Sequence, residues 1–302
     1  MAVVYGEIDC LSKLTSMLRG EAKNIKSFEQ LLDYRRECDK KVYEAELVAK
    51  TEISQKIQSL EQAVTNHLLG KSKLNDPGFF LVKGYRVFIF KIKLFRIDRQ
   101  LKRFVKNSPE LIRVRTESIS GDFFWNKQVF DSNFNLIQGA SGEQQALDEL
   151  RKLPDSFYVV NNVQISFSRP LYEPRSNQRI YSIQADHVVV APSGIFLIET
   201  KNWSRGTENL NYGFSAFDQI KRTNFALYCY FNPVSRSIFS FFAKTKKIKI
   251  RSILLMTGYK AEGTDQHVKV LSLNQLRGYI EYFKDELNNK EIQDVLRKLV
   301  GR

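Results

Sequence analysis

The sequence predicts an α/β (α+β) protein with a mixed β-sheet flanked by helices and an N-terminal helical region that includes a candidate coiled coil. After residue 139, short apolar strand-like runs alternate with amphipathic helical runs, which is typical of a sheet covered by helices. The first 70 residues contain no proline, and acidic and basic side chains are interspersed along them. The chain has 302 residues, enough for about two domains and a sizeable core.

Residues 1–75 form the first region, which we expect to be helical. The stretch 20–70 is compatible with one long helix or with a helical hairpin. Within it, apolar residues follow the four-three-four spacing of a coiled-coil seam at Ile53, Ile57, Leu60 and Val64. Such a seam packs either on another helix of the same chain or on a second copy. A homo-oligomer built through these helices is therefore one of two open alternatives.

Residues 76–138 form the second region, which is basic and rich in aromatic residues. The turn sequence Asn75-Asp76-Pro77-Gly78 marks its start. Residues 80–115 include eleven basic and two acidic side chains, a net charge of +9. We expect a strand at residues 87–94, where apolar and basic residues alternate, and a helix at residues 97–105.

This basic region supplies most of the chain's charge surplus of +14, which indicates a polyanionic partner. Nucleic acid is one candidate, with phosphate contacts expected from Lys91, Lys93, Arg99, Lys102 and Arg103. An anionic membrane surface is a second candidate, and a solvated basic face without a partner is a third. Basic residues interrupt the apolar stretch 79–97 every few positions, so we expect no transmembrane segment there.

The cysteines indicate the compartment. Cys10, Cys38 and Cys229 are far apart, odd in number and form no CxxC pair. This pattern excludes a zinc ribbon and argues against a disulfide framework. We therefore expect a reducing, cytoplasmic compartment.

Residues 139–302 form the third region, in which strand and helix patterns alternate. We expect helices at residues 143–153, 214–231, 275–283 and 291–300, and strands at residues 158–167, 179–190, 194–200, 249–256 and 268–271. A polar loop with two prolines is expected between residues 167 and 179.

Two of these strands carry acidic residues where most neighbours are apolar. Asp186 lies near the middle of one strand, and Glu199 and Lys201 lie at the end of the next. A four-residue turn joins the two strands into an antiparallel hairpin, which brings Asp186 and Glu199 to similar levels. Side chains two apart in a strand share a face, which adds Lys201. The sequence therefore predicts two carboxylates and an amine converging on one face.

Such a cluster is suited to a divalent cation. Burying unpaired carboxylates costs several kcal/mol, and a cation bound between them offsets that cost. Oxygen ligands with room for water favour Mg²⁺ or Mn²⁺. A neighbouring lysine can orient or deprotonate a water and stabilise charge on a phosphoryl oxygen. A simple carboxylate–lysine ion pair at a sheet edge is the alternative.

An ordered set of motifs extends this constellation: Gly142-Glu143 opening a helix, Gln184-Ala185-Asp186-His187, Gly194-Ile195-Phe196-Leu197-Ile198-Glu199-Thr200-Lys201-Asn202-Trp203, and the helical Gln219-Ile220-Lys221. Together they make residues 139–285 resemble the NERD (nuclease-related) domain of the PD-(D/E)XK nuclease superfamily. The resemblance implies a restriction-endonuclease-like core and metal-dependent hydrolysis of phosphodiester bonds.

The resemblance also implies residue roles. The catalytic set would be Glu143, Asp186, Glu199, Lys201 and Gln219. Mg²⁺ or Mn²⁺ would be held by Asp186 and Glu199, helped by Glu143 and the Thr200 carbonyl. Lys221, two residues after Gln219, matches a basic position and is expected to contact nucleic acid.

The expected function is a nuclease, for which the resemblance favours DNA over RNA although the residues do not separate the two, with a role in defence against foreign DNA. Two alternatives belong to other classes. One is a non-catalytic nucleic-acid-binding or scaffold protein, and the other is a protein associated with a membrane surface.

Overall fold

The structure is a computed structural model that describes residues 1–70, 80–203, 216–233, 247–258 and 265–301, without the side chains of residues 80–83. The chain divides into two compact units, Met1–Met17 with Asn133–Arg302, and Leu18–Ser132. These units do not follow the three sequence regions, because the first 17 residues group with the C-terminal part. The turn expected at residues 75–78 lies outside the described residues.

Along the chain the elements are β1 (Val3–Tyr5), α1 (Asp9–Met17), a short 3-10 helix (Gly20–Asn24), α2 (Phe28–Leu69), α3 (Phe80–Ser120), α4 (Asp122–Ser132), α5 (Phe134–Leu150), β2 (Tyr158–Glu173), β3 (Gln178–Ala191), β4 (Gly194–Lys201), α6 (Ala216–Phe231), β5 (Ile250–Met256), β6 (Val268–Ser272), α7 (Leu273–Glu281) and α8 (Asn289–Val300).

The first unit is a mixed sheet flanked by helices, which confirms the predicted fold class. Its strands lie in the order β1-β2-β3-β4-β5-β6. The strands β2, β3 and β4 are antiparallel neighbours, whereas β1, β5 and β6 join through parallel pairs. The strand β4 therefore has an antiparallel neighbour on one side and a parallel neighbour on the other.

The centre of the sheet is covered on both faces. Every residue of β4 up to Thr200 is buried, and the strand is apolar without alternation from Gly194 to Ile198. Ile220 of α6 and Val295 of α8 belong to the same apolar core as Val188 of β3 and Leu197 of β4. Two packed helices thus hold the strands that carry the predicted acidic residues.

The N-terminal end of the first unit differs from the sequence prediction, which was helical throughout. Residues 3–5 form β1, with Val3 paired to Tyr158 on β2. The Val3 N–H donates to the Phe157 carbonyl at 3.0 Å. β-Branched residues favour strands, but three residues are too few to show a period in the sequence.

The loop predicted between residues 167 and 179 is also largely a strand. β2 continues to Glu173 and pairs with β3 across Leu171 and Ile180. The register shifts between Ser166 and Leu171, which is where Pro170 removes a backbone donor. The irregularity lets a proline-containing segment stay in the sheet as a long hairpin.

In the second unit α2 packs against α3 of the same chain. Ser27 and Gln30 form a capping box that fixes the start of α2. Of the predicted seam, Leu60 is buried, and Ile53, Ile57 and Val64 are half-buried. His67 stacks on Phe90 of α3 with ring centroids 4.2 Å apart. Packing within one chain therefore engages α2, and self-association stays a prediction that light scattering would test.

The strand predicted at residues 87–94 is wrong, since these residues lie inside α3. The alternation that suggested a strand covers only five residues. Over a longer window the apolar residues recur at helical spacing and are all half-buried: Val87, Phe90, Leu94, Ile97, Leu101 and Phe104. This three-four repeat faces a neighbouring helix, which decides between the two periods. The helix predicted at residues 97–105 is confirmed as part of α3.

None of the described helices is long and apolar enough to cross a membrane.

Candidate active site

The end of β4 presents an acid and a base from the same strand. Glu199 is buried, and its Oε1 accepts a hydrogen bond from Lys201 Nζ at 2.7 Å. The Lys201 side chain keeps 23% of its surface exposed. The pair therefore lies at the edge of the apolar core, with part of the lysine side chain accessible to solvent.

Asp186 of β3 joins this cluster at the point where β3 and β4 part. Their register runs from the pair Ala191 and Gly194 to the pair His187 and Ile198. One residue further on, the Asp186 carboxylate accepts the Thr200 N–H at 2.7 Å. The Asp186 side chain thus takes the place of the next backbone hydrogen bond between the two strands. It connects Asp186 directly to the strand that carries Glu199.

The strand alternation shifts at Asp186. Ile183 and Ala185 face the same apolar core as Val188 and Val190, although an unbroken alternation would place the two pairs on opposite faces. On β2, the residue between the partners of Ala185 and His187 is Asn162, which has a left-handed φ of 48°. Because of this local irregularity, Asp186 is not part of the apolar core that its neighbours Ala185 and Val188 form.

His187 is fully buried beside the cluster. Its Nδ1 lies 2.8 Å from Asn161 Oδ1, and its Nε2 has no partner in the described part of the chain. Burial lowers the pKa of His187 to about 4, so the ring is neutral. It is a buried packing residue next to Asp186.

Glu143 lies in the middle of α5 rather than at a helix start, because α5 begins nine residues earlier than predicted. Two contacts seat α5 against the end of β4. Asn202 Nδ2 donates to the Gln138 carbonyl at 2.9 Å. A Cβ on Gly142 would lie only 2.9 Å from Thr257 Oγ1 and 3.5 Å from Thr200 Cγ2. The absence of a side chain at Gly142 allows this close approach.

The acids influence one another. Burial, followed by the charges of Glu199 and Glu143, raises the pKa of Asp186 well above its usual range. Burial also raises the pKa of Glu143. Burial opposes the charged form of Lys201, but Glu199 and then Asp186 outweigh it, so the pKa of Lys201 is raised. The cluster therefore contains more acidic groups than its one ammonium can balance, and their charged forms are disfavoured by burial.

Gln219 and Lys221 are both on the first turns of α6, but only Gln219 contacts the cluster. Its Oε1 accepts from Lys201 Nζ at 3.3 Å. Lys221 Nζ instead pairs with Asp265 at 2.5 Å. This hydrogen bond lowers the pKa of Asp265. The expected contact of Lys221 with nucleic acid stays a prediction, in competition with this ion pair.

The ordered acids, lysine and glutamine are the features that the sequence motifs implied. Residues 138–257 match the family model of NERD, the nuclease-related domain. The match confirms the predicted resemblance and includes every residue of the cluster, from Glu143 to Gln219. No curated protein and no solved structure matches the chain.

In the described part of the chain, the acidic side chains of the candidate site do not form a complete metal site by themselves. Among the described residues, no three His, Cys, Asp or Glu side chains lie close enough to hold one ion. A cation bound by Asp186 and Glu199 would therefore need main-chain oxygen and water as further ligands, which Mg²⁺ and Mn²⁺ accept.

Sequence reasoning missed one contributor to this site. The Cys10 N–H of α1 donates to Glu143 Oε2 at 3.3 Å, across 133 residues of chain. Burial and the neighbouring Glu143 raise the pKa of the Cys10 thiol, so it is protonated. The apolar pair Val3-Val4, read as a strand, was the only local signal that this segment could join the sheet.

The predicted nucleic-acid contacts lie on α3 in the other unit. Lys91, Lys93, Arg99, Lys102 and Arg103 are all exposed. Lys102 pairs with Asp98 at 2.8 Å. A groove of about 450 Å³ is lined by Arg96, Arg99 and Arg103 together with Gln100, Phe104, Asn107 and Leu111.

Proposed function

We propose that this protein is a divalent-metal-dependent nuclease that hydrolyses phosphodiester bonds in DNA. The observation that carries the proposal is the cluster of Asp186, Glu199 and Lys201 at the end of β4, within the segment that matches the nuclease-related domain. A structural ion pair would need only Glu199 and Lys201. Asp186, whose pKa is raised by burial and then by the charges of Glu199 and Glu143, gives the cluster a surplus of acidic groups over its one ammonium.

That surplus fits Mg²⁺ or Mn²⁺. Asp186 and Glu199 would hold the ion, with the Thr200 carbonyl and water as further ligands, and Glu143 would assist through a metal-bound water. A bound divalent ion supplies a water of lowered pKa and neutralises charge on the phosphate. Hard oxygen donors without a cysteine or histidine favour these two ions over zinc.

The remaining chemistry falls to the chain's own groups. Because its pKa is raised, Lys201 keeps its proton at neutral pH and acts as a donor rather than as a base. It would orient the attacking water and stabilise the phosphoryl oxygen. Gln219 accepts a second hydrogen bond from the Lys201 ammonium, which limits the motion of that group.

The partner surface that we propose for nucleic acid is the exposed side of α3. Tyr85, Phe88 and Phe95 are 67%, 60% and 64% exposed, at intervals of three and seven residues that place them on one side of the helix. The five basic residues predicted to bind phosphates are exposed along the same stretch. Cationic side chains between aromatic rings suit a phosphate backbone whose bases can stack.

The test is a cleavage assay on supercoiled and linear DNA with Mg²⁺ or Mn²⁺, with EDTA as the metal-free control. Asp186→Asn is the matched variant, since it removes one charge and keeps an acceptor for the Thr200 N–H. We expect cleavage by the natural protein with metal, and none with EDTA or with the variant. DNA binding without cleavage under every condition would instead support the non-catalytic alternative. Binding to anionic liposomes but not to DNA would support the membrane alternative.

The cellular role that we propose is the removal of foreign DNA in the cytoplasm. The three cysteines are free thiols in the structure, which fits a reducing compartment. Plasmid transformation of cells that express the natural protein should be less efficient than that of cells expressing Asp186→Asn. Equal efficiency would remove the support for this role without affecting the enzymatic assignment.

A further inference from the structure

The first 17 residues lie outside the segment 138–257 that matches the nuclease-related domain, yet they are part of the same compact unit. β1 extends the sheet beside β2, and Ile8, Leu11 and Leu14 are buried. Besides adding a strand, this segment contacts the candidate active site at two places.

The first contact reaches the neighbour of Asp186. Asn161 Nδ2 donates to the Gly6 carbonyl at 3.1 Å, and Asn161 Oδ1 lies 2.8 Å from His187 Nδ1. Gly6 has a φ of +78°, and a Cβ there would lie 2.7 Å from the Asn161 carbonyl oxygen. The turn after β1 is thus fixed to the β2 residue that holds His187.

The second contact reaches Glu143 directly. Cys10 is the second residue of α1, and backbone N–H groups in the first turn of a helix have no partner within the helix. The Cys10 N–H is directed at Glu143 Oε2, 3.3 Å away. Glu143 is only 5% exposed, so this donor replaces water that the carboxylate has lost. The positive end of the α1 dipole favours the same carboxylate.

The approach of α1 to α5 depends on a glycine. Gly139 lies one helical turn before Glu143, on the same side of α5. A Cβ at Gly139 would lie 2.7 Å from Cys10 Sγ but 3.7 Å from Cys10 Cβ. The sulfur therefore rests where a side chain at position 139 would be, and the two helices meet at the residue that donates to Glu143.

From these contacts we infer that residues 1–17 complete the candidate active site and that the Cys10 backbone N–H is a positioning group for Glu143. The catalytic consequence rests on the proposed function, but the contact itself does not. Losing the contact leaves Glu143 free to adopt other rotamers, which weakens a site in which it assists metal binding.

Two substitutions, made singly and together, test whether the contact between α1 and Glu143 affects metal-dependent cleavage. Gly139→Ala adds a Cβ that displaces Cys10, and we expect the Mg²⁺ midpoint for cleavage to rise about 10-fold, the usual scale for losing a residue that orients a ligand. Adding Cys10→Ala removes the sulfur and should bring the midpoint back toward that of Cys10→Ala alone. Gly278→Ala on α7 is the control, since a Cβ there would meet nothing within 4 Å. Alanine favours a helix more than glycine does, so the loss cannot come from helix propensity.

A second measurement needs no activity. Protein labelled with ¹⁵N at cysteine gives three amide signals, one each from Cys10, Cys38 and Cys229. We expect Glu143→Ala to move the Cys10 signal and leave the other two in place. Glu143→Gln, which keeps an acceptor oxygen, should move it less. A Cys10 variant assigns the signal by its absence.

The outcomes separate the two proposals. If the natural protein cleaves DNA, a Gly139→Ala midpoint equal to that of Gly278→Ala would overturn the positioning role, provided that Gly139→Ala also moves the Cys10 amide signal and so displaces the backbone as well as the sulfur. If the natural protein cleaves nothing with either metal, the proposed nuclease function fails, and the amide signals decide the positioning role alone. A Cys10 signal that is unmoved by Glu143→Ala overturns it in either case.

Discussion

Lys201 Nζ lies 2.7 Å from Glu199 Oε1, two residues back along the same strand, and 3.3 Å from Gln219 Oε1 on a helix. This geometry holds a charged amine between a buried acid and an amide at the end of β4. The nearby charge of Asp186 also contributes to the raised pKa of Lys201. The lysine is therefore a fixed donor, and the first prediction concerns its charge.

Lys201→Met should lower the rate of DNA cleavage about 100- to 1,000-fold, the usual effect of removing one transition-state donor. Methionine keeps the apolar stem but donates no hydrogen bond. The Mg²⁺ midpoint should change much less than the rate, since Lys201 is not among the proposed ligands. Single-turnover cleavage measured across a metal titration separates the two quantities, and a rate near that of the natural protein would contradict the assignment.

Asp186→Asn and Asp186→Ala should both stop cleavage but should differ in stability. Asparagine retains an acceptor for the Thr200 N–H, whereas alanine leaves that buried donor unsatisfied at a cost of about 1 to 3 kcal/mol. Urea unfolding should therefore find the alanine variant less stable than the asparagine variant by that amount. Equal stability would mean that the hydrogen bond to Thr200 contributes little.

Binding to duplex DNA should weaken with salt, with a slope of log affinity against log salt of about −0.9 per phosphate neutralised. Replacing Lys91, Lys93, Arg99, Lys102 and Arg103 with glutamine should flatten that slope by a few units. Lys102 should contribute less to this change in slope than the other four residues, because it already pairs with Asp98. The effect should be alike on all sequences, since phosphate contacts read no bases.

The matched control replaces five exposed basic residues of α2, in the same unit: Arg36, Lys40, Lys41, Lys50 and Lys56. Both variants lose the same charge, and both include residues in ion pairs, Lys102 on α3 and Arg36 and Lys50 on α2. Equal slopes for the two variants would show a general charge effect rather than a surface on α3. Release from anionic liposomes with an unchanged DNA slope would favour the membrane alternative.

His187 should make the protein less stable in mild acid. Its pKa is about 4 in the folded state and about 6.5 when unfolded, so the unfolded state binds the proton first as pH falls. The stability that the neutral ring contributes is present above pH 6.5 and is lost as pH falls toward 4, with about 2 kcal/mol lost between pH 7 and pH 5. Urea unfolding of the natural protein and of His187→Gln at both pH values checks this. An equal loss in the variant would assign the effect to other groups.

Local pattern was enough to predict β3 and β4 and the acidic cluster that they carry. The apolar runs in β3 and β4 are long, and a four-residue turn leaves one sensible pairing, so Asp186, Glu199 and Lys201 could be brought together from spacing alone. The tie between Asp186 and the Thr200 backbone could not, because it depends on where the two strands part.

Competing periods explain the main error. Over residues 90–94 the side chains alternate as in a strand, but over residues 87–104 they repeat as in a helix. The longer repeat wins because α2 offers a surface for it, and a single sequence does not show which neighbour is present. The boundaries of α5 were misjudged for a related reason, since Gly139 and Gly142 look like helix breakers until close contacts explain them.

The amino-acid sequence by itself determined the hairpin of β3 and β4, the charge of residues 80–115 and the identity of the acids and lysine, because each follows from short-range spacing along the chain. Only the tertiary structure decided that residues 1–17 join the sheet and that Cys10 meets Glu143. That contact joins residues 133 positions apart, and its strength comes from burial and helix geometry. Neither burial nor helix geometry produces a periodic pattern in the local sequence. The contact between the Cys10 N–H and Glu143 therefore forms only when the chain folds.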